Sequence, residues 1–300
     1  LLKIILLGTS GGMPTADRNL PAIAVKINRE IILFDCAEGT QRQMEKANLS
    51  VSRINKIFIT HLHGDHIMGI PGILQTLSLM NREKPLHIFG PKGIADFVKA
   101  IKTTVEFTLT FNVHIKEVTE GVVCETSLYT VECAKTEHNN SFAFAFIEKD
   151  RPGKFHPEKA RALGIPMGPL WKKLQHGEKV TLPDGRRIEP NQVVDPPRPG
   201  RRIVYSGDTP PCDSVKRISR GATILIHDST YGEDLEEKAV ETKHSTTTQA
   251  AKVAREAGVQ KLILTHISSR YKNSNELLEQ AKKVFHNSIL GEDLMEIVLD

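Results

Sequence analysis

Long apolar runs are missing from this 300-residue chain, and their absence removes the membrane-spanning classes first. Its wholly apolar stretches cover only a few residues, far short of the ~20 that a helix needs to cross a bilayer. The opening LLKIILLGTSGG is interrupted by Gly8, Gly11 and Gly12, so it reads as a buried first strand rather than a leader. Cysteine is scarce too. Cys36, Cys124, Cys133 and Cys212 form no CxxC pair, and without a secretory segment they argue for reduced, buried thiols in a cytoplasmic protein. No strong excess of one charge sign is present: the net charge of +4 only mildly favours an anionic partner. With 39% hydrophobic and 25% charged residues, what remains is an ordinary globular chain, long for one domain but within reach of a layered enzyme.

The first third is rich in Ile, Leu, Val and Phe runs closed by Gly, Asn, Asp or His. KIILLG, AIAVKI, IILFDC and KIFITH read as strands, with a hairpin turn at Asn28-Arg29. Residues 67–80 read as a helix entered through Gly69 and Pro71, LHIFGP as a strand, and 92–105 as a helix. Strands follow near 112–118, 122–133 and 142–148. From Lys149 to about Gly200 the rhythm stops. That stretch is short of apolar runs, is rich in Pro, Gly, Lys and Arg, holds the only tryptophan, and reads as an inserted excursion. Then RRIVYSGD, TILIHDS and KLILTH alternate with helices around 212–219, 243–258 and 274–285, before a terminal MEIVL strand. Strands alternating with helices at this density define a layered α/β domain.

Polar residues collect where the strands end: His61, Asp208, His227 and His266. The densest group is THLHGDH at 60–66. A two-residue spacing in a turn can aim His61 and His63 at one point while Asp65 and His66 reach a second, and Gly64 lets the backbone fold tightly enough for both. Neutral imidazoles with a carboxylate suit a borderline-soft divalent ion such as zinc. Alone, His138 in its polar loop is more often a surface histidine, and Asp208 more often a helix cap. Beside the HLHGDH loop, however, Asp208 has two oxygens with which to bridge ions, and His266 repeats the Thr-His ending of His61. These seven side chains suffice for two adjacent ions. A pair about 3.5–4 Å apart activates water and clamps a charged ester, above all a phosphodiester.

THLHGDHIMGIPG resembles the HxHxDH signature of the metallo-β-lactamase superfamily. GTSGGMPTADRN at 8–19, FDCAEGTQRQM at 34–44, KHSTTTQAA at 243–251 and LTHISSRY at 264–271 resemble, in order and over the whole chain, the motifs of its ribonuclease Z branch. The resemblance implies a four-layer αβ/βα metallo-β-lactamase sandwich: one domain over 1–300 with a flexible arm inserted at about 149–198. It implies two zinc ions per subunit, with manganese also able to support activity. His61, His63 and His138 would hold one ion, and Asp65, His66 and His266 the other, with Asp208 bridging. Asp65 would also serve as the base toward the attacking water, and His244 would assist at the leaving oxygen. The family pairs that histidine with the glutamate of a His-Glu-Ala-Thr segment. This chain has His227-Asp228-Ser229-Thr230, so Asp228 keeps the charge with one methylene fewer.

The activity so implied is hydrolysis of a tRNA precursor just 3′ of the discriminator nucleotide, by a homodimer. GIPMGPLWKKLQHGEKV resembles the arm with which the family grips tRNA. Gly164, Pro166, Gly168 and Pro169 would shape its tip, and Lys172 and Lys173, with Lys149, Arg151, Lys154, Lys159 and Arg161, would track phosphates. RNA of this kind is read by shape and backbone, so 5% aromatic content suffices. Ser10, Arg18, Thr40 and Arg270 are weaker candidates for contacts near the RNA 3′ end. The metal ligands alone leave an alternative open: a small phosphodiesterase or other ester metallohydrolase on the same fold.

Overall fold

The computed structural model describes residues 2–299. Two seven-stranded sheets dominate it. The chain enters through β1 (Leu2–Gly8), touches a two-residue strand β2 (Ser10–Gly11), and returns through the hairpin β3 (Ala22–Ile27) and β4 (Glu30–Phe34). The parallel strands β5 (Ile54–Phe58), β6 (Leu86–Gly90) and β7 (Val113–Glu117) extend this sheet from β4. The second sheet begins with β8 (Gly121–Glu125), β9 (Tyr129–Lys135) and β10 (Phe142–Glu148). Within the excursion lies a two-stranded ribbon, β11 (Val180–Thr181) and β12 (Arg187–Ile188). The second sheet then resumes with parallel β13 (Arg202–Tyr205), β14 (Ile224–Asp228), β15 (Leu262–Thr265) and, after the short β16 (Ile267–Ser268), β17 (Ser288–Leu290). Finally β18 (Glu296–Leu299) pairs antiparallel with β1 and closes the first sheet.

The central strands of both sheets are buried on both faces, which is why they read as continuous apolar runs rather than alternating ones. On one side of the first sheet, Met44 of α1 (Thr40–Lys46), Ile73, Leu74 and Leu77 of α3 (Ile70–Leu79) and Val98 of α4 (Ile94–Thr104) pack on Leu7, Leu33, Ile57 and Ile88. Its other side meets the second sheet. Phe34, Phe58 and Phe89 stack at 5.3 and 4.7 Å, and Phe144 of β10 lies against this stack, 5.5 Å from Phe58. Beyond the second sheet, α9 (Thr247–Ala257) lies on β14 and β15, with α7 (Asp213–Ile218) and α10 (Asn275–Val284) beside it. The layers run helix, sheet, sheet, helix. Among the described residues no helix is long and apolar enough to cross a membrane.

The chain divides into two compact units. One comprises 1–125, 130–146 and 202–300; the other comprises 126–129 and 147–201. The second unit contains the excursion. Although its apolar residues are scattered in sequence, it folds α5 (Pro157–Ala162), α6 (Pro169–Gln175) and the β11–β12 ribbon around a core of its own, including Ile165, Leu174, Leu182 and Val193.

Several element boundaries differ from the sequence reading. Of the stretch 67–80 the helix α3 takes Ile70–Leu79, and the one-turn α2 (Gly64–Ile67) ends ahead of it; Gly69 between them packs so closely that a Cβ would meet the Ala37 carbonyl oxygen at 2.0 Å. The run 122–133 is a hairpin: the Thr126 hydroxyl accepts the Leu128 and Tyr129 N–H groups and makes a turn without Gly or Pro. The helix expected over 243–258 starts only at Thr247. A polar helix, α8 (Glu236–Thr242), precedes it. Of the four thiols, none is in a disulfide, and Cys124 is half-buried rather than buried.

Candidate metal centre

The polar residues gather at the carboxyl ends of the parallel strands, the usual place for a site in such a sheet. His61 lies three residues past β5, and His63 caps α2, which carries Asp65 and His66. Asp208 lies three residues past β13. The turn before it needs Gly207, whose φ is +59° and whose Cβ position is 2.8 Å from Thr60. Asp228 ends β14, His266 follows β15, and His138 sits in the turn between β9 and β10. Asp35, Lys243 and His266 all have φ near +60°, an expensive conformation for residues with a Cβ. Part of that cost is offset by fixed contacts. The β2–β16 pairing holds Gly11 so closely to His266 that a Cβ there would be 2.7 Å from the ring.

Three overlapping groups result. His61, His63, His138 and Asp208 form one, Asp65, His66 and His266 a second, and Asp208, Asp228, His244 and His266 a third; within each, the ligand atoms lie within 4.8 Å of one another. Asp208 Oδ2 is common ground, 3.5 Å from His61 Nε2 and 3.3 Å from the Nε2 atoms of both His66 and His266. Asp65 Oδ2 lies 3.6 Å from the same two nitrogens and accepts the Gly12 N–H at 3.1 Å. The Nε2 atoms of His61, His66 and His266 and Asp208 Oδ1 are buried without a hydrogen bond. Polar atoms are rarely left so in a protein interior. Orphaned imidazole nitrogens converging on a carboxylate fit a divalent cation, and these residues form a metal-binding cluster.

The electrostatics agree. Burial, with His66 alongside, lowers His61 to about 2, which leaves the neutral imidazole a metal requires. Burial likewise lowers His138, whose Nδ1–H donates to the Lys243 carbonyl at 2.9 Å. Burial alone would raise Asp208, but His266, His66 and His61 hold it well below the usual carboxylate range. Burial would also raise Asp65; the neighbouring His266 and His66 outweigh that and lower it. His66 is driven the other way. Burial disfavours its charged form, yet Asp208 and Asp35 raise it well above an ordinary imidazole.

Beside the cluster, His244 Nδ1 lies 2.8 Å from Asp228 Oδ2, so the shorter acid still reaches its partner. Against the desolvation of a largely buried ring, Asp228 raises His244 to about 9. His227 behaves differently from the other strand-end residues. Its Nδ1–H donates to the Asp228 carbonyl, and it belongs to none of the converging groups.

The weaker RNA candidates have varied surroundings. Arg18 donates to Thr9 Oγ1 and to the Gly291 carbonyl; the Ser10 hydroxyl donates to Met13 O, and that of Thr40 to Ala37 O. Arg270 is exposed, with its guanidinium over the Tyr231 ring. In the second unit Gly164, Pro166, Gly168 and Pro169 are exposed around the start of α6, and Lys172 and Lys173 project from that helix into solvent. Three residues with a part in the site went unread in the sequence: Thr60, Thr230 and Tyr205. The hydroxyls of Thr60 and Tyr205 donate to Asp35, and that of Thr230 to Asp228. A threonine or tyrosine at the end of an apolar strand carries no signal of its own in sequence.

A four-layer sandwich with this His/Asp cluster at its strand ends defines a metal-dependent hydrolase of the metallo-β-lactamase superfamily. A family profile described as a β-lactamase superfamily domain matches residues 171–267, and one described as the anti-Pycsar protein Apyc1 matches residues 2–151. Similarity to ribonuclease Z runs from end to end. The chain is 47% identical to ribonuclease Z of Methanosarcina acetivorans over 99% of its length and 98% of the relative's. It is also 47% identical to that of Methanothermobacter thermautotrophicus, over 99% and 96%. The crystal structure of human tRNase Z, short form, superposes with a TM-score of 0.71 at 27% identity, covering 99% of both chains. The chain belongs to the ribonuclease Z family.

Proposed function

We propose that this protein is a zinc-dependent endoribonuclease that removes the 3′ trailer from tRNA precursors by cutting just 3′ of the discriminator nucleotide. The observation that carries the reading is the convergence of seven His and Asp side chains beside the His244–Asp228 pair, in a chain that matches ribonucleases Z along its whole length. We assign His61, His63 and His138 to one ion and Asp65, His66 and His266 to a second, with Asp208 between them. Two zinc ions per subunit fit this division, since imidazole suits zinc, and manganese, which favours the carboxylate oxygens, is an alternative. Bound there, the ions would supply Lewis acidity and a nucleophile at neutral pH.

The side chains account for the proton traffic. Asp65, kept ionised and steadied by the Gly12 N–H, accepts the proton of the attacking water. As the new P–O bond forms, the bond from phosphorus to the 3′ oxygen of the discriminator breaks. His244, kept protonated by Asp228, donates its proton to that oxygen. The products are a tRNA with a 3′-hydroxyl and a trailer with a 5′-phosphate. The segment at about 149–198 acts, on this reading, as an arm inserted in a single catalytic domain. It presents Lys172 and Lys173 to the tRNA backbone, and the working form is a cytoplasmic homodimer.

The test is incubation of purified protein and zinc or manganese with a 3′-extended tRNA precursor and, separately, with bis(p-nitrophenyl) phosphate. Cleavage of the precursor at one bond supports the reading. Hydrolysis of the small diester without precursor cleavage would favour a small phosphodiesterase on the same scaffold.

A further inference from the structure

Two buried carboxylates, one from each sheet, organise the centre in the same way. Asp35 follows β4 in the first sheet and Asp228 ends β14 in the second; both are fully buried. Each is bonded to one histidine directly and linked to another through a threonine hydroxyl. Asp35 Oδ2 lies 2.7 Å from His66 Nδ1, and Thr60 Oγ1 lies 2.9 Å from that oxygen and 3.0 Å from His61 Nδ1. Asp228 Oδ2 lies 2.8 Å from His244 Nδ1, and Thr230 Oγ1 lies 2.6 Å from Oδ1 and 2.8 Å from His266 Nδ1.

The direction of each chain follows from proton counting. A hydroxyl has one proton, and an ionised carboxylate can only accept. The threonine proton therefore goes to the aspartate, and the threonine oxygen must accept the Nδ1–H of its histidine. That leaves the histidine lone pair on Nε2. In both His61 and His266 this is the buried, unbonded atom that faces Asp208. The threonine is needed as the link: His266 Nδ1 is 3.9 Å from Asp228 Oδ1, too far for a direct hydrogen bond.

We propose that Thr60 and Thr230 are positioning residues, each transmitting the charge of one buried aspartate to a histidine of the centre and thereby fixing that histidine as the Nδ1–H tautomer. The inference rests on the metal-centre reading above. It adds a division of labour: Asp228 serves two tasks at once, holding His244 directly and His266 through Thr230. An outer hydrogen-bond partner of this kind is worth about 10–100-fold in metal affinity.

Thr230→Val keeps the shape and deletes the hydroxyl, while Thr230→Ser keeps the hydroxyl. In the metal-free full-length proteins, long-range proton–nitrogen correlation of 15N-labelled histidines should report His266 as Nδ1–H in the wild type and T230S, and lose that pattern in T230V. Chelator competition with zinc should show about 10–100-fold weaker binding in T230V and wild-type binding in T230S. The pair T60V and T60S should act in the same way on His61. An unchanged His266 tautomer in T230V, unchanged zinc affinity in T230V, or a T230S as weak as T230V would overturn the proposal. If the wild type itself takes up no zinc, the metal-centre reading fails, and the tautomer of His266 in T230V still decides the relay.

Discussion

At the scale of single residues, His244 lies 2.8 Å from a fully buried aspartate that favours its protonated form. His244→Ala should lower the turnover of precursor cleavage by about 10²–10⁴-fold, the usual contribution of a positioned proton donor, while zinc content stays at the wild-type level. Because Asp228 raises the imidazole, the protonated form persists until pH rises through the folded-state value. Activity that needs this proton is lost on the alkaline side. Asp228→Asn removes the raising charge, so the alkaline limb of kcat should move to lower pH; a limb that stays in place would separate His244 from the proton transfer. The clustering of His61, His63, Asp65 and His66 was legible because three histidines and an aspartate in seven residues have few structural uses. Their supports were not. Thr60, Tyr205 and Thr230 are ordinary residues until the fold brings two sheets together, and Asp35 stood out only through the resemblance of its surrounding motif.

At the scale of elements, the central strands were legible because burial on both faces leaves mostly Ile, Leu, Val, Ala and Phe along them, while the edge strands β7, β8 and β18 are partly exposed. Helix starts were less so. In KHSTTTQ several hydroxyl residues compete as caps, and the structure selects Thr246, whose side chain accepts the Gln249 N–H while the Gln249 side chain accepts the Thr246 N–H. This choice leaves His244 in the loop ahead of α9, free to meet Asp228. Thr246→Ala should cost about 1 kcal/mol of stability. In a domain of this size that corresponds to a melting temperature lower by about 2–4 °C, measurable by calorimetry on the metal-free protein. An unchanged melting temperature would show that the cap carries no weight.

At the scale of the molecule, the sequence set the excursion apart by its composition, but its internal order was hidden because its core residues are spread thinly among charges and prolines. Its two ends meet: the Glu148 N–H donates to Arg201 O at 2.9 Å, and Arg201 grips the Glu148 carboxylate with two hydrogen bonds. Replacing 150–199 by a short glycine linker is therefore compatible with the remaining chain path. On the proposed reading such a deletion lowers precursor cleavage steeply and spares hydrolysis of bis(p-nitrophenyl) phosphate; equal loss of both would deny the unit a role in RNA recognition. The central claim is tested most directly by mapping, to the nucleotide, the ends made from a 3′-extended tRNA precursor with zinc or manganese, against an Asp65→Ala control. A ribonuclease Z should make one cut immediately 3′ of the discriminator, leaving a 3′-hydroxyl and a 5′-phosphate, and none in the control. Cuts scattered along the precursor, equal cleavage by the control, or no cleavage with either metal would contradict it.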